Sequence, residues 1–224
     1  MGHENHNGAI IMPSQLILPK EAGGGVKITP GNHTWRDKEG IIIPDPAGVG
    51  APTLQVFRHE VGAKCRAYAY SVNDMIDMIF HMPHDWVPGT NIYMHPHWFH
   101  SGTNISGTMS YTFSYTYAKG HNQASPDGDF QAEKQQTFTF TNMSIATYPR
   151  YRHRIDEFQL SDAGGTGNFL NTNILEADGI IHANVELTAE PTVTGGDLYC
   201  STIDLHYLSS NIGTYDKAPP FFGV

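Results

Sequence analysis

Between Thr108 and Ala118 the chain alternates without interruption. Met109, Tyr111, Phe113, Tyr115 and Tyr117 are large and apolar or aromatic, while Thr108, Ser110, Thr112, Ser114 and Thr116 are small and polar. A period of two puts each set on its own face, which predicts a β-strand with one buried face. Ile181, Ala183, Val185 and Leu187 repeat the pattern against His182, Asn184 and Glu186 in the predicted strand Ile180–Glu190. Shorter apolar runs predict further strands at Leu54–Arg58, Lys64–Tyr70, Met75–Met82, Asn91–Phe99, Gln136–Met143, Tyr151–Leu160, Phe169–Glu176 and Leu198–Leu208. Pro83, Pro88-Gly89, Ser125-Pro126-Asp127-Gly128 and Gly195-Gly196-Asp197 punctuate them as turns. Only Asn168–Glu176 is also compatible with a helix. About ten strands with regular turn signals predict an all-β, jelly-roll-like antiparallel β-sandwich.

Residues 1–53 read differently. Gly23-Gly24-Gly25, Pro30-Gly31, Pro44-Asp45-Pro46 and Pro52 break the segment, and Leu16–Leu18 and Ile41–Ile43 are its short apolar runs. It has no periodicity from which to build a core of its own. Ordering about 50 residues costs on the order of 50 kcal/mol, which requires roughly 2,000 Å² of apolar burial. That contact has to come from elsewhere, so residues 1–53 are expected to form an extended N-terminal arm. A disordered tail and a wrap onto the chain's own domain are the alternatives. Residues 54–212 form the predicted sandwich. Residues 213–224, with Pro219-Pro220-Phe221-Phe222, form an apolar C-terminal tail that needs a docking surface.

Composition narrows the function. The chain has 224 residues, 23 Gly, 14 Pro and only 16% charged residues, which favours sheets and turns. A formal net charge of -9 opposes phosphate-dominated contact, so no nucleic-acid partner is expected. The short basic cluster Arg150, Arg152, His153 and Arg154 reads as a solvated face. No apolar run is long enough for a membrane helix, and Met1-Gly2-His3-Glu4-Asn5-His6 has no leader pattern, so a soluble, unsecreted chain is expected. Cys65 and Cys200 are expected to be two buried thiols.

Thirteen histidines are present, and His81, His84, His95, His97 and His100 crowd together. His95 and His97 are two apart, so on a strand they share a face. Asp204 and His206 share a face in the same way, and a neighbouring strand in register would bring the two pairs together. A metal held by His95, His97 and His206 is one reading of this set. Structural histidines in an aromatic layer are another, and a third is a metal on a symmetry axis to which each subunit gives its His-x-His pair. Gly89, five residues, then His95-Pro96-His97 resembles the first half of the cupin signature, whose histidines bind metal inside a small β-barrel. The glutamate of that signature falls at Ser101 or Gly102, and its second half is absent. No Gly-x-Ser-x-Gly elbow, phosphate loop or zinc-spaced cysteine pair occurs. Asp156 and Glu157 are adjacent, so a strand aims them at opposite faces and not at one substrate. No catalytic residue and no cofactor is expected.

The block Asn73–Trp98 contains Pro83-His84, Trp86, Gly89-Thr90 and His95-Pro96-His97-Trp98, followed by the Tyr-rich strand Tyr111–Tyr117. It resembles a family of tailed-bacteriophage virion proteins, and Arg154–Phe158 and Ile203–Tyr207 extend the resemblance to roughly Asn73–Tyr207. The resemblance implies a non-enzymatic virion structural protein, assembled in the bacterial host cytoplasm. The expected form is a capsid decoration (cement) protein. It would be a homo-oligomer, a trimer, and its arm and tail would contact the major capsid protein or another virion protein. A tail or fibre-adaptor protein that contacts receptor glycan through its aromatics is the alternative in that class. A metal-dependent cupin-like enzyme is the alternative outside it.

Overall fold

The computed structural model describes residues 33–44, 50–58 and 60–210, together with the backbone of three short strands before residue 18. Those three, β1 (His3–Glu4), β2 (Ile10–Met12) and β3 (Gln15–Ile17), pair only with one another. The next five are β4 (Thr34–Glu39), β5 (Ile41–Pro44), β6 (Thr53–Val56), β7 (Arg66–Tyr70) and β8 (Met75–His81). The long strands β9 (Ile92–His100), β10 (Asn104–Ala118) and β11 (Lys134–Ser144) follow. Four two-residue strands come after them: β12 (Arg154–Ile155), β13 (Phe158–Gln159), β14 (Ser161–Asp162) and β15 (Leu170–Asn171). The last of the described strands are β16 (Ile180–Ala189), β17 (Thr192–Thr194) and β18 (Leu198–Ser209).

The first sheet has the order β11-β10-β16-β8-β5, with β17 also on β10. The second has the order β12-β9-β18-β7-β6, with β13 also on β9 and β4 also on β18. Every pairing in these two sheets is antiparallel. The late strands β16 and β18 insert between β8 and β10 and between β7 and β9. The chain is therefore an all-β, jelly-roll-like sandwich, and no helix occurs among the described residues.

Alternation decides which side chains fill the space between the sheets. Met109, Tyr111, Phe113, Tyr115 and Tyr117 of β10 join Ile181, Val185 and Leu187 of β16 and Ile76, Met78 and Phe80 of β8 in one buried cluster. From the second sheet come Ile92, Met94 and Trp98 of β9 and Leu198, Cys200, Ile203, Leu205 and Tyr207 of β18. On the outer face of β10, Ser110 and Thr112 pair their hydroxyls with Thr139 and Thr137 of β11 at 2.8 and 2.9 Å. That removes the cost of covering four polar groups.

The inward set of β18 changes parity midway. Cys200 pairs with Trp98 and Thr202 with His97, which leaves Ser201 as an extra residue. This bulge turns Leu198 and Cys200 inward before it and Ile203, Leu205 and Tyr207 inward after it. Pro96 leaves a second mark. It has no N–H to offer the strand on its far side, and the segment expected as one strand over Tyr151–Leu160 is interrupted there, forming β12 and β13 with Asp156 and Glu157 between them.

Residues 34–44, within the span expected as an arm, lie on both sheets of this domain. β4 pairs with β18 and β5 with β8, so the chain crosses from one sheet to the other at Gly40. A Cβ at Gly40 would meet the Phe80 ring at 2.7 Å, and the Gly40 N–H donates to Ile203 O. Only glycine permits that approach. The expected boundary at residue 53 falls at the start of β6, which pairs with β7. For residues 34–44 the observed arrangement is the wrap onto the chain's own domain, while most of the rest of the arm and the tail 213–224 lie outside the described residues.

Two further expectations are corrected. Asn168–Glu176 is not helical: it is turns around β15, with Leu170 and Leu175 buried as its anchors. Cys65 is exposed, while Cys200 is buried as expected. Cys65 precedes β7 in a turn-rich connection, where no facing layer covers it. Burial pushes the Cys200 thiol up to about 12.

Phe113 is fully buried and lies beside Tyr111, Phe138 and Phe158. Phe113→Ala is expected to lower the unfolding free energy by about 3–5 kcal/mol, read from urea denaturation.

Candidate functional site: a histidine and carboxylate face

The outer face of the second sheet divides into two halves. At the β6–β7 end, Phe99 and Tyr199 stack at 5.1 Å over Ala67 and Ala69, with Phe57 packed against them. At the other end the same alternation presents polar chemistry. Asp204 of β18 stands opposite His95 of β9 on one side and Glu39 of β4 on the other, and His206 stands between Tyr93 and Asp37. Glu157 comes from the interrupted segment and reaches the same face.

The side chains converge further than the backbone register requires. His95 Nε2 lies 2.8 Å from Glu157 Oε2 and 2.9 Å from His206 Nδ1. His206 Nδ1 is itself 2.9 Å from Glu157 Oε2. On its other nitrogen, His95 Nδ1 is 3.5 Å from Asp37 Oδ1. Hydrogen bonding to His95 holds the Glu157 carboxyl below its ordinary range against a smaller effect of burial, and His206 adds to it.

His97 stands apart from this group. Its Nε2 lies 3.1 Å from Asp204 Oδ2 and its Nδ1 lies 3.0 Å from His153 Nε2. Burial pushes the His97 imidazole down, against the pull of Asp204 and together with His153 and His95. Burial also pushes the Asp204 carboxyl up, although His97 opposes it. Both partners are thus displaced toward their neutral forms, the response expected of a pair removed from water.

Of the expected triad, the structure brings His95 and His206 together and turns His97 toward Asp204 and His153. The two pairs do meet across the sheet, displaced by one pleat: Asp204, not His206, stands opposite His95. Sequence reading did not find Asp37 or Glu157 as partners of these histidines. Asp37 lies in Thr34–Glu39, whose side chains are all exposed and so show no apolar period. Glu157 had one legible signal, its parity against Asp156. Asp156 does turn the other way, accepting the Trp98 indole N–H, while Glu157 faces His95. Beside the cluster, Trp35 is 50% exposed, with its ring 5.6 Å from Tyr93 and 4.8 Å from His206.

These histidines stand on the outside of a sandwich, not within a barrel as the cupin resemblance implies. The basic cluster is partly packed: Arg150 donates to Ser101 O, and Arg154 covers the Tyr148 ring at 4.7 Å.

Fold and face together define the class: a jelly-roll-like β-sandwich that carries a histidine and carboxylate cluster on one outer sheet face. No family model matches the chain, and no curated protein matches it. Among solved structures it is similar to a carbohydrate-binding module specific for non-crystalline cellulose, at 9% identity and TM-score 0.34, covering 71% of this chain and 79% of that one. It is also similar to a carbohydrate-binding module in complex with β-1,4-galactotriose, at 8% identity and TM-score 0.28, covering 76% and 86%. The enzymatically active domain of bacteriophage CBA120 tailspike protein 4 aligns at 10% identity and TM-score 0.26, over 80% of this chain and 19% of that one.

A second histidine–carboxylate group lies elsewhere, where Asp178 is 2.8 Å from His84 Nε2 and 2.9 Å from His121 Nε2. Burial pushes the Asp178 carboxyl up, but the hydrogen bonds to His121 and His84 outweigh it and hold the group below its ordinary range. A lowered folded value contributes stability above the unfolded value of about 3.9 and loses it as pH falls through the folded value. Asp178 has a φ of 59°, which asparagine tolerates, so Asp178→Asn isolates the charge. The variant is expected to be about 1 kcal/mol less stable at neutral pH. That gap should close below about pH 4 in denaturant melts across the acid range.

Proposed function

We propose that this chain is a non-enzymatic structural subunit of a tailed-bacteriophage virion, and that it acts as a capsid decoration protein. The observation that carries the reading is where the two terminal segments attach. Thr34 at the start of β4 pairs with Ser209 at the end of β18, so both ends of the described domain lie at one corner of the second sheet. Asp85 fastens that corner. Its carboxylate accepts from Ser209 Oγ at 2.6 Å and Tyr207 OH at 3.1 Å, and lies 3.2 Å from Arg36. Its backbone carbonyl accepts the Ser210 N–H at 2.7 Å.

A subunit that cements a shell contributes contacts that only the assembled lattice offers, and stabilises it by mass action. A single braced corner at which the domain both begins and ends suits that task, because it offers one rigid point of attachment for both terminal segments. The resemblance of Asn73–Tyr207 to virion proteins favours the same reading; Trp86 and Trp98, two of the residues that carry it, are buried in the core and belong to the fold. Homotrimeric assembly and contact with the major capsid protein belong to this proposal.

The reading is tested by deleting residues 1–32, which leaves β4 and β5 in place. The truncated subunit is expected to fold with an unchanged thermal midpoint and to be lost from purified virions at least tenfold, by quantitative mass spectrometry. Full incorporation would overturn the arm's role. The second reading, a tail or fibre-adaptor protein that contacts glycan, is favoured by the exposed Trp35 beside Tyr93. It expects Trp35→Ala to abolish retention on immobilised host polysaccharide, whereas the decoration reading expects no retention by either form.

A further inference from the structure

His95 Nε2, His206 Nδ1 and Glu157 Oε2 form a triangle with edges of 2.8, 2.9 and 2.9 Å. Hydrogen bonding does not satisfy all three edges. An imidazole nitrogen has one in-plane position, occupied either by a proton or by a lone pair. If both nitrogens donate to Glu157, two N–H groups oppose each other across the His95–His206 edge. If only one is protonated, the lone pair of the other faces the carboxylate. A cation bound by all three donors removes the conflict. We propose that His95, His206 and Glu157 bind one divalent metal ion of the zinc class, with Asp37 as the outer carboxylate that orients His95.

The donor set selects the metal class. Two imidazoles and one carboxylate suit zinc and its first-row neighbours at about 2.0–2.2 Å, whereas calcium and magnesium prefer oxygen throughout. Asp37 completes the arrangement that metal-bound histidines commonly show, a carboxylate facing the second ring nitrogen that fixes the tautomer. Asp37, His95 and His206 each offer a donor atom within 4.8 Å of the others, which keeps Asp37 beside the two imidazoles. The site is built on one side and open on the other. The side chains of His95 and His206 are 11% and 19% exposed, while those of Glu157 and Asp37 are 50% and 55% exposed. Water therefore has access to the remaining coordination positions.

The ion would join four neighbouring elements: β4 through Asp37, β18 through His206, β9 through His95, and the break between β12 and β13 through Glu157. β4 has much to gain, since all six of its residues are exposed and it is held by the backbone ladder to β18 together with surface contacts of Trp35 and Arg36. The site is a clip for the strand that begins the domain, and it stands independently of the virion reading.

The test is calorimetric titration of the chelator-stripped full chain with zinc chloride, beside thermal unfolding with and without the metal. The expected result is saturable binding at one ion per chain and a thermal midpoint raised by about 5–10 °C at a hundredfold excess over Kd. Glu157→Gln, at a half-exposed position that leaves the core untouched, is expected to weaken binding about tenfold or more, and His206→Ala further. His182→Ala, on the first sheet, should bind as the parent does. If His206→Ala does not fold, Glu157→Gln decides alone. Absence of one-to-one binding, or unchanged affinity in Glu157→Gln, would overturn the site.

Discussion

The pairing of β9 with β18, with its single extra residue at Ser201, is the constraint on which the rest depends. A strand shifted by one residue exchanges its faces. Without the bulge, the parity that buries Leu198 and Cys200 would send Thr202, Asp204 and His206 into the core and leave Ile203, Leu205 and Tyr207 in water. With it, both halves of β18 contribute to one apolar layer, and Asp204 and His206 emerge beside His95 and His97. The packing of the interior and the chemistry of the outer face thus follow from the same local irregularity.

Pro96 acts as its counterpart on the other side of β9. By withholding one ladder donor it opens the gap between β12 and β13, and Glu157 leaves that gap toward the histidines while Asp156 turns to Trp98. The outer face is therefore assembled from strands far apart in sequence: β4 near the start, β9 in the middle, β18 at the end. Asp85 closes the same sheet at its corner, joining the stretch before β9 to the last residues of β18 and to Arg36 of β4. This bracing gives the proposed docking role of the terminal segments a rigid base.

The long strands were legible because burial on one face writes a period of two into the residues. Tyr111–Tyr117 and Ile181–Leu187 predicted β10 and β16 and the faces they bury. β4 was not legible as part of the sheet, since Thr34–Glu39 lies on the surface, and its backbone ladder to β18 is indifferent to side-chain type and writes no apolar period into the residues. Asn168–Glu176 was ambiguous because Leu170 and Ile174 have the i, i+4 spacing of a helix, whereas the turns bury Leu170 and Leu175. His95, His97 and His206 were singled out by spacing, but which of them meet depended on cross-strand register, which spacing alone does not carry.

Alternation, turn residues and the parity of His95 with His97 and of Asp204 with His206 determined, from sequence alone, that the chain is a β-sandwich with histidines and carboxylates on a common kind of face. Each of these is a property of neighbours along the chain. The tertiary structure alone decided that Glu157 and Asp37 complete the cluster around His95 and His206, and that His97 turns instead to Asp204 and His153. Those contacts join residues brought together by a bulge, a proline gap and a crossover at Gly40, whose effect on register exists only once the strands are paired.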